Sequence, residues 1–343
     1  MTNRHATIKA ISSYLPEQAL TNEQLAEHFG RLDSDKVLDK IGIAVRRVAA
    51  PDECASDLGV AAARVLFGRG VCTPSDPDFL LFCTQTPDYL LPASACTMHG
   101  RLGLRLGCGA IDFNQGCSGF VYGLAVAKGL IETGSADNVL LITADTYTKL
   151  INARDRTLRT LFGDGASATL ISAVDSAEEM IGPFVFGTDG GGAENLIVPA
   201  GGMRCPISAE AMIEREDDHG NWRSQANLFM NGGELFNFAL KTVPRAFEQL
   251  LQKASLTSSD IDLVVMHQAN KFMLERLREK IKIPAKNFCI DMEESGNTVS
   301  CTIPIALERA MKNGVVKSLD RVALVGFGVG YSWAAALVRF SEV

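Results

Sequence analysis

The sequence is short of several features that mark common protein classes. It has no C-x-x-C pair, and its nine cysteines (54, 72, 83, 96, 108, 117, 205, 289, 301) are odd in number and scattered. Neither a disulfide framework nor a metal-ligand spacing is predicted, and the usage fits a reducing compartment. There is no excess of positive charge. Against 40 Asp and Glu stand 33 Lys and Arg, a net charge of −7 that argues against a general nucleic-acid binder. Residues 1–16 hold no long apolar stretch of the kind a signal peptide needs, so a cytoplasmic location is expected. One long uncharged run exists, Val322 to Val338, but Gly326, Gly328 and Gly330 interrupt it. Two buried strands around a glycine turn fit it better than a membrane span.

What is present is a globular balance. The 343 residues are 47% hydrophobic and 21% charged, enough for two domains or one large double domain. The organising stretch is Ile111-Asp112-Phe113-Asn114-Gln115-Gly116-Cys117-Ser118-Gly119 with the apolar run Phe120 to Gly134 behind it. It reads as strand, tight turn and buried helix, with Cys117 at or just before the helix N-terminus. Unpaired N–H groups and the positive end of the helix dipole favour thiolate there, which makes Cys117 a candidate nucleophile. The plainer reading of the same residue is a small buried apolar side chain.

Around this unit short strands and helices alternate. Strands are expected at Thr7–Tyr14, in the basic region Val45–Pro51, and at Phe79–Thr84, Val139–Ala144 and Ser167–Ser172. Helices are expected after Thr21-Asn22, over Ala55–Phe67, Pro92–Leu102 and Gly232–Gln252. Residues 187–231 are glycine-rich, then charged, without periodicity, and are predicted to be a long excursion from the core.

The second half replays the first. Asp76 to Cys83 resembles Asp260 to His267, Ile111-Asp112 resembles Ile290-Asp291, and Asp137 to Leu141 resembles Asp320 to Leu324. Two α/β units related by a pseudo-twofold are predicted, residues 1–174 and 175–343, with the boundary near Ala173 to Ser176. In that scheme His267 takes the place of Cys83, and Asn297 falls within one position of Cys117. The three are therefore expected to meet at the centre. A thiolate exchanges thioesters like for like through an acyl-enzyme. Two N–H donors beside it could hold the enolate left when a malonyl thioester loses carbon dioxide, and no metal is required. Taken singly, His267 also reads as a structural residue at a strand end and Asn297 as a helix cap. Gly326 to Gly330 lacks the following helix of a dinucleotide loop and reads better as a turn offering a backbone amide.

Further motifs sharpen this. They are Ser12 to Gln18 with Thr21-Asn22, Gly42-Ile43 before Arg46-Arg47, Gly116 to Phe120, and Phe162-Gly163-Asp164-Gly165-Ala166. His267-Gln268-Ala269-Asn270, Gly296-Asn297-Thr298 and the tail Trp333 to Phe340 complete the set. In this order and at these separations they resemble β-ketoacyl-acyl-carrier-protein synthase III, of the thiolase-like condensing enzymes, over nearly the whole chain. The resemblance implies a duplicated α/β/α/β/α layered fold, a homodimer, and a cofactor-free reaction. It makes Cys117 the acylated nucleophile, His267 and Asn297 the decarboxylation and condensation pair, and the Val329 amide an oxyanion donor. It implies acyl-thioester and coenzyme A contacts from Arg156, Asn270 and Gly232, and an acyl-pocket floor from Leu91, contributed across the dimer. The family's adenine-stacking tryptophan is replaced by Lys36, and residues 201–227 form a longer excursion near the substrate entrance; both point to a specialised donor or acceptor. Lys271, Arg276, Arg278 and Lys280 are a candidate landing patch for an acyl carrier protein, with a solvated helix face as the plainer reading. The runner-up is transfer to an oxygen or nitrogen nucleophile or to a non-malonyl acceptor. A Cys-His-Asn thioester hydrolase is a rival from another class.

Overall fold

The structure is a computed structural model that describes residues 4–30 and 32–340. In chain order the first half gives β1 (Arg4–Tyr14), β2 (Gln18–Thr21), α1 (Asn22–Phe29), α2 (Ser34–Ile41), β3 (Val45–Val48) and α3 (Ala55–Gly68). Then come β4 (Phe79–Cys83), α4 (Ser94–Leu102), β5 (Gly109–Phe113), α5 (Gly119–Glu132), β6 (Asn138–Asp145), α6 (Arg156–Arg159) and β7 (Gly165–Asp175). After β8 (Ile181–Thr188) the excursion carries four two-residue strands: β9 (Leu196–Ile197), β10 (Arg215–Glu216), β11 (Trp222–Arg223) and β12 (Phe229–Met230). The chain ends with α7 (Gly232–Ala254), β13 (Leu263–Met266), α8 (Lys271–Ile281), α9 (Thr302–Lys312), β14 (Val322–Gly328) and β15 (Ser332–Val338).

Two sheets form the frame, in the orders β1-β7-β6-β4-β5 and β8-β15-β14-β13. Their pairings match strand for strand. β1 and β8 run antiparallel to β7 and β15, these run antiparallel to β6 and β14, and the latter pair in parallel with β4 and β13. Even the register agrees: Phe79 faces Val139 as Leu263 faces Val322, which makes His267 the counterpart of Cys83. One strand fails to repeat. Ile290-Asp291 was expected to match Ile111-Asp112 in β5, but only Phe288 bridges to Val264 there. The Gln268 side chain accepts the Asp291 amide at 2.7 Å, so that N–H is withdrawn from the ladder.

Burial explains the layering. β4, β13 and β14 read as unbroken apolar runs because both faces of each strand are covered. α5 and α9 lie between the sheets and share one core with both. α3 and α4 cover the outer face of the first sheet, and α7 and α8 that of the second. The result is an α/β/α/β/α sandwich. Phe120, Leu124 and Ile131 of α5 have no exposed surface, each burial stabilising the fold by about 1.5–3 kcal/mol. The uncharged run near the C-terminus is β14 and β15, not a span, and among the described residues no helix is long and apolar enough to cross a membrane.

Candidate active site

Cys117 sits two residues before α5, and Asn297 two residues before the 3-10 turn Val299–Cys301 that runs into α9. The pseudo-repeat therefore brings two helix entrances to the middle of the molecule. His267 follows β13 directly and donates its amide to Val325 O in β14 at 2.8 Å. The three side chains, all nearly buried, line one partly open cavity of about 90 Å³. Its remaining walls are mostly apolar and include Leu196, Met230, Leu235, Phe238, Met273 and Phe327.

The turn that carries Cys117 is packed against β14. A Cβ on Gly326 would come within 2.6 Å of Ser118 Cα, and one on Gly328 within 2.8 Å of Cys117 Sγ. Ser118 and Ser332 join hydroxyl to hydroxyl at 2.6 Å, fixing the start of β15 to the same turn. Burial, with the charge of Asp145 second, pushes the Cys117 thiol up to about 12, against the pull of the Val329 and Cys117 amides. Burial thus opposes the helix terminus, which favours thiolate here. Removal from water costs the anion more than the helix terminus returns.

His267 is neutral for the same reason, burial having taken it down to about 3. Its Nδ1 lies 2.7 Å from the Thr302 hydroxyl, and Phe327 meets its ring edge-on at 5.6 Å. The single Thr302 hydroxyl proton goes either to Val299 O at 3.1 Å or to His267 Nδ1; in the second arrangement the imidazole carries its own proton on Nε2. Asn297 Oδ1 accepts the Val299 amide at 3.0 Å, which leaves its NH₂ group free to donate elsewhere. Val299 holds φ 57°, uncommon for a β-branched residue, so the turn that orients Asn297 is a strained one.

The other expected residues divide. Asn270 and Gly232 line the cavity at the N-terminal ends of α8 and α7, Asn270 also capping α8 by accepting the Met273 amide at 2.8 Å. Arg156 opens α6 and is exposed, and Lys36 on α2 pairs with Asp33 at 2.8 Å; neither is among the residues that line the cavity. Leu91 is 81% exposed on the loop after β4. The basic patch is less free than expected, because interleaved partners engage it. Arg276 pairs with Glu279, Arg278 with Glu275, and Lys280 reaches Leu240 O. Lys271 packs its stem against Gly42.

Sequence reasoning missed several residues. Trp222, one of two tryptophans in the chain, lies under the Arg154 guanidinium at 4.0 Å, so the excursion brings an aromatic to the loop that precedes Arg156. Its rarity inside a polar stretch was the available signal. Asp145, Thr302 and Phe327 carried none, since each is ordinary for its element.

Residues 111–190 match the family described as 3-Oxoacyl-[acyl-carrier-protein (ACP)] synthase III, and residues 251–340 its C-terminal counterpart. The chain is 37% identical over 337 residues to the β-ketoacyl-[acyl-carrier-protein] synthase III of Caldanaerobacter subterraneus subsp. tengcongensis, covering 98% of each. A 2.1 Å crystal structure of a 3-oxoacyl-(acyl-carrier-protein) synthase III superposes with TM-score 0.97 at 53% identity, over 98% of this chain and 100% of that one. The priming β-ketosynthase of the R1128 polyketide pathway superposes with TM-score 0.86 at 29% identity, over 99% and 97%.

Proposed function

The chain belongs to the 3-oxoacyl-[acyl-carrier-protein] synthase III family, and from that premise we propose how its residues divide the condensation between them. Cys117 takes the acyl group from a thioester, and the departing thiol leaves with the proton. The amides of Val329 and Cys117, which already face the sulfur, receive the oxyanion. A malonyl thioester on an acyl carrier protein then enters and loses carbon dioxide. Asn297 Nδ2 and His267 Nε2 hold the resulting enolate oxygen, and its carbon attacks the acyl-cysteine. The β-ketoacyl thioester forms as the Cys117 sulfur departs. A neutral imidazole edged by Phe327 gives the malonyl carboxylate no counter-charge, which favours its loss as carbon dioxide.

The observation that carries this reading is the single cavity lined by all three side chains. Intact-mass analysis with acyl thioesters, beside release of labelled carbon dioxide, tests it. Cys117→Ala should take up no acyl group, whereas His267→Ala and Asn297→Ala should acylate but condense at least about a hundredfold more slowly. If those two variants lost acylation as completely as Cys117→Ala, the division of roles would be wrong.

The finer assignments belong to the same proposal. The halves divide as 1–174 and 175–343. Arg156, with Lys36 on α2 and Trp222 beside Arg154, receives a nucleotide-bearing donor. Lys271 and Arg276 dock an acidic carrier protein, Arg276 lying over the exposed Phe272 ring at 5.3 Å, while Arg278 and Lys280 support it from beneath. The protein is a cytoplasmic homodimer in which Leu91 closes its partner's acyl space.

A further inference from the structure

Asp145 ends β6 as a carboxylate with no exposed surface, and none of the steps above uses it. Its Oδ1 accepts the Gln85 amide at 2.8 Å, in the loop after β4. Its Oδ2 accepts from Ser300 twice, from the amide at 3.2 Å and from the hydroxyl at 2.5 Å. Each partner leads to one side of the cavity. The Gln85 side chain accepts the Tyr147 hydroxyl and lies where a Cβ on Gly116, one residue before Cys117, would meet it at 2.5 Å. Ser300 belongs to the turn whose Val299 amide holds Asn297 Oδ1, and whose Val299 carbonyl lies 3.1 Å from the hydroxyl of Thr302, the neighbour of His267.

We propose that Asp145 is a positioning residue for the condensation, one carboxylate that sets the turn carrying Asn297 against the loop behind Cys117. The inference rests on the assignment of Cys117, His267 and Asn297 made above. Two donors in one half of the chain and one in the other make the group a clasp across the pseudo-twofold. Its charge gives the clasp a second, separable signature. It opposes ionisation of every acidic group facing it: Cys83 at the end of β4, Cys117 before α5, Tyr147 after β6, and Cys301 in the turn. Asp164, a second buried carboxylate, helps burial push Asp145 itself up to about 7.

Asp145→Asn keeps the shape, frees Cys117 of the neighbouring charge, and sets a donor against the Ser300 amide. Above pH 8, where the wild-type group is ionised, condensation should fall about tenfold or more, the usual cost of losing a hydrogen bond to a charged acceptor, with acylation kept. The pH midpoint for alkylation of Cys117 should move down, which a merely structural role would not produce. Ser300→Ala keeps the charge and should show the condensation loss without the midpoint shift, and the double variant should be no worse than Asp145→Asn alone. Should Asp145→Asn not fold, Ser300→Ala decides by the same two readings. Condensation unchanged in either variant, or losses that multiply in the double, would overturn the proposal. Cys117→Ala run alongside separates the failures. Persistent acyl uptake there would sink the site assignment, whereas normal condensation by Asp145→Asn with a silent Cys117→Ala would sink only the role of Asp145.

Discussion

At Cys117 two physical effects oppose each other, and the structure ranks them. A helix entrance attracts negative charge by at most about 2 kcal/mol, whereas desolvation shifts a fully buried group by up to about 3–5 pKa units. Burial wins, the thiol rising to about 12. Alkylation of the resting enzyme by iodoacetamide should therefore keep accelerating beyond pH 9; a plateau near neutrality would show a preformed thiolate. His267 makes the complementary case. Its folded pKa of about 3 lies below the ordinary 6.5, so the unfolded chain binds the extra proton first. Its contribution to stability is complete above 6.5 and is lost as pH falls toward 3. Urea unfolding across that window should lose stability toward acid in the wild type, and His267→Ala should flatten that part of the curve.

At the scale of elements, the site depends on how closely β14 lies against the turn before α5. Glycine at 326 is a packing requirement rather than a conformational one, since its added Cβ would meet Ser118 Cα at 2.6 Å and Cys117 O at 2.8 Å. Backbone cannot step aside as a flexible side chain can. Gly326→Ala should cost about 1–3 kcal/mol and displace the nucleophile, so melting temperature and acylation rate should fall together. Unchanged acylation would mean that the strand can move away freely. The sequence signals a glycine turn over Gly326 to Gly330 without distinguishing its members. Which glycine touches the nucleophile follows from register between elements roughly two hundred residues apart, and no local pattern encodes it.

For the whole molecule, the first sheet ends in an edge strand, β5, whose Ile111 is partly exposed. On the loop after its neighbour β4, Tyr89, Leu90 and Leu91 are 63%, 78% and 81% exposed. Large apolar side chains grouped beside an open edge mark an interaction surface. Ile111→Asp with Leu91→Asp should shift the protein from dimer to monomer in light scattering coupled to gel filtration. A wild type that already ran as a monomer would remove the dimer from the proposal.

The sequence by itself determined the repeat, most of the strands and helices, and three residues that the fold brings to one cavity. It could do so because hydrophobic periodicity and turn chemistry are local, and because duplication wrote the same pattern twice. It did not reveal that Gln268 takes the amide that would have completed the second copy of β5, that the basic residues of α8 are largely engaged, or that Asp145 spans the site. Tertiary structure decided these together with the protonation of Cys117 and His267. Each depends on what lies across a buried contact, where loss of solvent turns small differences in geometry into large differences in free energy.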